Sequence, residues 1–308
     1  MASDRFEETP EMSLEAEMLL DAKLIMRDGL CCVRPTAQID DKGYVPAWRD
    51  NLLDGVDPSL IEADFGSAAG GELNDKFRAA HSSAALVVNV FGRFRDGQKP
   101  FTIPGLGQLY LERFERTFPT GLRRIPPHLD AVGRGAVGLV AIESKCIEYF
   151  TPKQGVFADA YLTLDRCRET PWFAEMMRLR SAPHSYQILN AVQLIKHAFG
   201  LINAQDAPAT LLYLYWEPAD AANHRMFEEH RAEIDQFARN VSCGGGPSFM
   251  ALSYPELWEC WRQSGDPVLV AHAQQLSLRY DGKLDSYEGY SRVNGRKTDA
   301  GFFGDDLD

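Results

Sequence analysis

Apolar and polar positions along the chain fall into two spacings and predict a mixed α/β protein. Helical spacing, with apolar residues three and four apart, predicts helices over 13–27, 57–66, 107–118, 157–167, 171–180, 185–199, 220–240 and 254–263. Residues 209–218 form a short aromatic, β-rich run that predicts a buried strand. The apolar run at 81–94 is too short to assign to helix or strand.

Two of these helices carry specific expectations. In 107–118 the residues Leu111, Phe114 and Phe118 form an apolar stripe, and Glu115 lies on the same stripe. We expect the helix over 185–199 to end at Gly200, as a C-cap.

Residues 127–145 predict an apolar β-hairpin that is interrupted by charge. Side chains two apart share a strand face, so Glu143 and Lys145 project together. Burying such charges is costly unless they pair or bind a metal. With helices before and after it, the hairpin indicates an α/β fold with a central mixed sheet flanked by helices.

Whether Asp130 joins Glu143 depends on the register of the hairpin. A connection centred near Ala136–Val137 puts Asp130 opposite Glu143, whereas a tighter turn at 133–135 puts it opposite Gly138. The sequence leaves both registers open.

Composition and charge describe an ordinary globular protein of 308 residues with net charge −12. The first 80 residues hold 17 acidic against 8 basic side chains, which predicts an acidic helical extension packed on a domain at 81–290, with a loose tail at 291–308. No signal peptide or membrane span is evident, so we expect a cytoplasmic protein. The six cysteines show no metal or disulfide spacing and are expected to be reduced.

If the two acids converge, two carboxylates and a lysine suit Mg²⁺, for which Mn²⁺ can substitute. A bound metal lowers the pKa of a coordinated water and offsets phosphoryl charge, and a lysine neutralises the transition state. This chemistry is metal-assisted phosphodiester hydrolysis.

Asp130 followed by Glu143-Ser144-Lys145 resembles the signature of the PD-(D/E)XK, or restriction-endonuclease-like, nuclease superfamily, over about residues 105–216. The chain is also similar to uncharacterised bacterial nuclease-like proteins. The resemblance implies a restriction-endonuclease-like core with N- and C-terminal helical embellishments. It further implies that Asp130, Glu143 and the Ser144 carbonyl bind the metal and that Lys145 is catalytic.

Two more catalytic positions follow from the resemblance. Glu115 matches the acid that many members carry on the first helix, with Glu112 as the alternative. Gln193 matches the QxxxY motif of RecB-type exonucleases, although His197 replaces the tyrosine and is expected to be a satisfied histidine. The residue before Asp130 is Leu129 instead of proline, which leaves the subfamily open.

Basic residues near the hairpin are candidates for phosphate contacts, namely Lys196, Arg123, Arg124 and Arg134. Nucleic acid, most simply DNA, is then the partner, and restriction-type enzymes often form homodimers. The competing hypothesis is a non-catalytic binding or assembly protein that meets a protein partner through its acidic N-terminal region. An unrelated enzyme with a pocket near Trp216, Trp258 and Trp261 is the remaining alternative.

Overall fold

The computed structural model describes residues 13–66, 71–123, 126–152, 155–204, 208–242 and 244–284. Across these residues the chain forms an α/β fold of six strands and eight helices. The strands are β1 (Phe101–Ile103), β2 (Gly107–Thr117), β3 (His128–Gly135), β4 (Gly138–Lys145), β5 (Ala209–Tyr215) and β6 (Ser248–Ser253). The helices are α1 (Leu14–Val33), α2 (Pro58–Gly66), α3 (Ser83–Phe91), α4 (Pro171–Ser181), α5 (Ala191–Ala204), α6 (Arg225–Val241), α7 (Tyr254–Gln263) and α8 (Pro267–Tyr280).

The six strands form one mixed sheet in chain order, β1 to β6. Neighbours from β1 to β4 pair antiparallel, whereas β5 pairs parallel to β4 and β6 parallel to β5. The predicted central mixed sheet flanked by helices is confirmed.

Helices cover both faces of the sheet, as two adjacent residues of β4 demonstrate. The Ser144 hydroxyl lies 2.7 Å from the Tyr254 hydroxyl at the start of α7 and faces α3 as well. Glu143 points to the other face and contacts His197 of α5. Side chains alternate along a strand, so β4 is buried from both sides.

The predicted helix over 107–118 is wrong, because this segment is strand β2. The pairing of β2 with β3 shifts register between Leu111 and Arg113, so Glu112 is an extra residue in a β-bulge. Glu115 therefore lies on a strand and not on a helical stripe.

Several helix boundaries also differ from the predictions. The unassigned run at 81–94 contains helix α3. The helix predicted over 157–167 is replaced by two 3₁₀ turns, Asp159–Thr163 and Asp165–Cys167. Helix α5 begins only at Ala191 and continues through Gly200 to Ala204, so Gly200 is not a C-cap.

The N- and C-terminal helices pack against each other beside the sheet. Gly29 of α1 lies so close to α8 that a Cβ atom there would be 2.0 Å from the Arg279 carbonyl oxygen. The buried Arg279 guanidinium donates to the carbonyl oxygens of Met26 and Ala80 and to the side chain of Asn51. Strands β1 and β6 and helix α8 were not predicted.

Two general expectations can be compared with the described residues. Cysteines 31, 32, 146, 167 and 260 are all free thiols, as expected. None of the described helices combines the length and apolar character that a membrane span requires.

Candidate active site

Three carboxyl side chains lie in a row across strands β2, β3 and β4. The β3–β4 register has Ala131 paired with Ile142, and its continuation by one pair puts Asp130 opposite Glu143. On the other side of β3, Glu115 falls between the pairs Phe114–Ala131 and Arg116–Leu129, and so lies opposite Asp130.

The turn between β3 and β4 fixes this arrangement. Gly135 pairs with Gly138, which leaves Ala136 and Val137 as the two turn residues. Gly138 has a φ of 98°, a left-handed conformation that glycine adopts without the strain of a side chain. Of the two registers that the sequence left open, the structure has the one centred near Ala136–Val137.

Glu143 is buried between two cationic or polar partners. The Lys145 Nζ atom donates to its Oε1 at 2.5 Å, and the His197 Nε2 atom lies 2.9 Å from its Oε2. The second contact lacks regular hydrogen-bond directionality, so Oε2 and Nε2 remain buried polar atoms without a regular partner. Burial would raise the pKa of Glu143, but the neighbouring Lys145 and His197 outweigh burial and lower it to about 2.

Lys145 shares this buried environment and keeps its charge. Burial disfavours the ammonium ion, but the carboxyl groups of Glu143, Glu148 and Asp130 outweigh burial and raise the pKa of Lys145 above its ordinary value. A permanently charged lysine therefore lies at the end of β4.

The side chain of Asp130 forms a hydrogen bond with the backbone of the neighbouring strand β4. Its Oδ2 atom accepts a hydrogen bond of 2.6 Å from the backbone N–H of Ser144. Withdrawal from water, followed by repulsion from Glu143 and Glu115, raises the pKa of Asp130 well above its usual range. Two facing carboxyls cannot easily ionise together, and of this pair Asp130 holds a proton more readily than Glu143.

Glu115 has an unusual backbone. Its φ of 51° is left-handed, and it is the only described residue other than glycine with a positive φ. Burial, with repulsion from Glu72 and Glu143, raises the pKa of Glu115 to about 8. The His128 Nδ1 atom lies 3.5 Å from its Oε2.

The carboxyl oxygens of Asp130, Glu143 and Glu115 are ligands of the kind that divalent cations prefer, but the described side chains do not form a complete metal-binding site. Repulsion among Asp130, Glu143 and Glu115 and the unpartnered Oε2 of Glu143 are features that a cation would relieve. Among the described residues, however, no three His, Cys, Asp or Glu side chains are grouped so that they could hold a metal ion. Both oxygens of Glu143 face Lys145 and His197 instead.

Gln193 and Lys196 lie on helix α5, which also carries His197. The Oε1 atom of Gln193 accepts from Asn190, and Lys196 lies 5.7 Å from the ring centres of Phe157 and Tyr161.

The described arginines that were predicted to contact phosphate, Arg123 and Arg134, differ in their surroundings. Arg134 binds Glu112, which also pairs with Arg116, so Glu112 is held away from the row. Arg123 is exposed, and Arg124 lies outside the described residues.

Sequence reasoning missed three neighbours of the row. His197 was expected to be an ordinary satisfied histidine, and His128 and Glu72 were not considered. Glu72 lies in a 3₁₀ turn, Glu72–Asn74, far from the hairpin in sequence. Only the placement of His197 four residues after Gln193, on the same helix face, gave a signal that could have been used.

Comparison with known proteins identifies the family. A family model described as "Restriction Endonuclease associating with ARP" matches residues 37–281. The chain belongs to this family. No curated protein and no solved structure matches significantly. Membership of a restriction-endonuclease-like family suggests a nuclease-like function for this chain.

The tryptophans that marked the remaining alternative, Trp216, Trp258 and Trp261, are buried in the core. The Trp216 and Trp261 indole N–H groups donate to backbone carbonyl oxygens. Trp216 and Trp261 therefore have structural roles.

Proposed function

We propose that this member of the restriction endonuclease family is a Mg²⁺-dependent nuclease of the PD-(D/E)XK type that hydrolyses phosphodiester bonds in DNA. The observation that carries the proposal is the register that puts Asp130 opposite Glu143, with Lys145 Nζ 2.5 Å from Glu143. The family match supports a nuclease-like role for the same region.

In this proposal, Asp130, Glu143 and the Ser144 carbonyl hold the metal. Bound Mg²⁺ supplies a Lewis acid that lowers the pKa of a coordinated water and offsets phosphoryl charge. Burial and repulsion from Glu143 and Glu115 raise the pKa of Asp130, and a cation bound between the carboxyl groups would favour its ionised form.

The side chains of the protein supply charge stabilisation, proton transfer and phosphate contacts in this proposal. Lys145 stays charged and faces the developing negative charge of the scissile phosphate. Glu115, with a pKa of about 8, is poised to exchange a proton near neutral pH. Arg123, Arg124, Arg134 and Lys196 remain proposed phosphate contacts, and Gln193 remains a proposed catalytic residue.

The decisive experiment compares cleavage of plasmid and linear DNA in Mg²⁺ by wild type and Lys145→Ala. We expect the substitution to lower the cleavage rate by about 10²- to 10³-fold, because a preorganised charge at the phosphoryl group is lost. Asp130→Asn should lower it similarly while keeping an oxygen that can accept from Ser144 N–H.

Lys99→Ala is the matched control, because Lys99 is an exposed lysine in the loop before β1. It should cleave like wild type. Equal cleavage by wild type, Lys145→Ala and Asp130→Asn would reject the assigned chemistry.

A second candidate is a non-catalytic binding protein with the same fold. It is favoured by the ion pair between Lys145 and Glu143, which neutralises the carboxylate without a metal. The family description names an association with ARP, and we propose that such a partner binds at the acidic N-terminal region. Metal titration separates the candidates, since only a nuclease requires Glu143-dependent binding of Mg²⁺ or Mn²⁺.

A further inference from the structure

We propose that Tyr110 stacks on an unpaired base of the substrate, so that the protein prefers single-stranded DNA, or single-stranded parts of DNA, over a continuous duplex. This inference rests on the proposed function, because it takes DNA as the substrate. It assigns a substrate-binding role to a residue outside the carboxylate row, and it requires no metal.

The aromatic ring of Tyr110 is unusually exposed. Tyr110 is 47% exposed, whereas every other Phe, Tyr and Trp side chain that the structure describes is buried or half-buried. Aromatic side chains usually bury a large apolar area, in a core or against a partner. The Tyr110 ring is thus the most accessible aromatic surface in the described part of the chain.

Glu112 draws a guanidinium away from this ring. Arg134 of β3 lies directly opposite Tyr110 of β2, and an arginine in such a place can cover an aromatic ring. The Arg134 Nε atom instead donates to Glu112 Oε1 at 2.7 Å, and the ring stays exposed. Glu112 also accepts from Arg116, so one carboxylate holds two arginines on the β2–β3 pair. An exposed ring close to guanidinium groups can bind a base and the phosphates beside it.

The charge of this region suits a polyanion. Residues 93–134 hold 8 basic against 4 acidic side chains, in a chain whose net charge is −12. The side chains of Arg113 and Arg134 are 38% and 41% exposed, so phosphate can reach them from solvent. A strand of nucleic acid supplies both the negative charge and the flat rings that this surface accommodates.

The distance from Tyr110 to the carboxylate row matches a short length of one strand. Tyr110 precedes Glu115 by five residues of β2, which is about 16 Å at about 3.3 Å per residue. Stacked nucleotides of one strand advance by about 3.4 Å each, so about five nucleotides extend from the ring to the row.

Stacking on a surface ring selects an unpaired base. Inside a duplex, the neighbouring base pairs cover both faces of each base, whereas the bases of a single strand can turn outward and stack on a protein ring. Removal of such a ring weakens binding of a single strand by about 5- to 150-fold.

Binding in EDTA tests the inference without metal and without cleavage. The probes are a fluorescein-labelled oligothymidylate and the same strand annealed to its complement, and fluorescence anisotropy measures the affinities. We expect wild type to bind the single strand at least about fivefold more tightly than the duplex. Tyr110→Ala should lose this preference, because its affinity for the single strand falls.

Further variants show whether the ring itself is responsible. Tyr110→Phe keeps the ring and should bind the single strand like wild type, whereas Tyr110→Leu keeps only an apolar side chain and should bind it like Tyr110→Ala. Leu278→Ala is the matched control, because Leu278 is 64% exposed on helix α8, and it should bind like wild type. Thermal unfolding verifies that each variant is folded.

A strand with abasic sites in place of its bases separates stacking from charge. Wild type should bind this strand more weakly than oligothymidylate, and Tyr110→Ala should bind it as wild type does, because no base is left to stack. If Tyr110→Ala bound the abasic and the intact strand more weakly by the same factor, the ring would contact the sugar–phosphate backbone and the proposal would be wrong.

The outcomes distinguish this inference from the proposed function. Equal binding of the single strand by wild type and Tyr110→Ala contradicts the role of Tyr110 and leaves the nuclease proposal intact. Binding that requires the ring, in a protein that cleaves no DNA in Mg²⁺, supports stacking and contradicts the proposed catalysis. A wild-type protein that binds neither probe overturns the inference, and the cleavage assay then decides the proposed function alone.

Discussion

The left-handed backbone of Glu115 directs a carboxyl group into the row from the middle of a strand. The adjacent residue is held in place by Asp64, whose Oδ2 accepts the N–H of Phe114 at 2.9 Å and whose two oxygens bind Arg95. Non-glycine residues in this region cost about 1–3 kcal/mol and persist where surrounding contacts fix them, often at functional sites. Asp64 therefore supports the site from outside it.

The raised pKa of Glu115 predicts an unusual dependence of stability on pH. Between its unfolded pKa of 4.5 and its folded pKa of about 8, the carboxyl is protonated in the native state and ionised in the unfolded chain. Folding then takes up a proton, so rising pH lowers the free energy of unfolding, by at most about 1.4 kcal/mol per pH unit for one group. Glu115→Gln should remove this contribution and be more stable than wild type at pH 8.

Urea denaturation in EDTA at several pH values between 5 and 8 measures this effect. Glu112→Gln on the same strand is the control and should keep the wild-type slope, because Glu112 is engaged by Arg116 and Arg134 instead of the row. A Glu115→Gln slope identical to that of wild type would show that the carboxyl is not protonated in the native state.

Strand β2 was predicted as a helix although the buried residues in and directly after it, Leu111, Phe114 and Phe118, were identified correctly. Its buried residues begin with strand spacing, Leu109 and Leu111, and the bulge at Glu112 then moves the next buried position to Phe114. Leu111, Phe114 and Phe118 thus have helical spacing within an extended chain. A one-residue bulge cannot be recognised from the hydrophobic pattern alone.

The packing of helices α3 and α5 explains why the sequence did not predict α3 as a helix and did not predict the end of α5. Every residue of α3 from Ala84 to Phe91 is buried, so no polar face reveals a period. Gly200 is required by close approach, since a Cβ atom there would be 2.3 Å from the Phe118 carbonyl oxygen. The glycine that suggested a helix end instead lets α5 lie against the segment after β2.

The start of α5 depends on a carboxylate from another helix. Glu233 accepts from three consecutive backbone N–H groups at 2.6–2.9 Å. Glu233→Ala leaves these donors without that acceptor and should lower the free energy of unfolding by about 1–3 kcal/mol.

Thermal and urea unfolding measure the stability change, with Glu228→Ala as the matched control on the exposed face of α6. The control should differ from wild type by less than about 0.5 kcal/mol. If both variants were equally stable, the three amides would have to be satisfied by water at no cost.

At the scale of the whole molecule, the terminal helices are joined by the crossing of α1 and α8. Gly29→Ala would put a methyl group 2.0 Å from a backbone oxygen of α8 and should destabilise the protein by about 1–3 kcal/mol. Gly66→Ala in α2 is the matched control, since no atom lies within 4 Å of its Cβ position.

Denaturant midpoints of the two variants test this packing. The Gly66 variant should be neutral or slightly more stable, because alanine restricts the unfolded chain. A Gly29 variant as stable as the Gly66 variant would mean that the two helices can separate freely.

The site was predictable only where its residues are close in sequence. Asp130, Glu143 and Lys145 belong to one hairpin, so local alternation puts them on one face once the turn is known. Glu72 and His197 reach the row from other elements, and their positions follow from tertiary packing that one sequence does not encode in any local pattern. The PD-(D/E)XK resemblance thus drew attention to the three hairpin residues of the candidate site, whereas the charged side chains around them could be found only from the fold.

The chain-order topology of the sheet has a consequence for how the protein is made. When synthesis has passed β4 but not reached β5, the apolar strand with Glu143 and Lys145 at its end is an unpaired sheet edge. Apolar edges recruit other nascent chains, and charges on them discourage such association. We therefore expect these two side chains to lower the tendency of the growing polypeptide to aggregate until β5 pairs with β4.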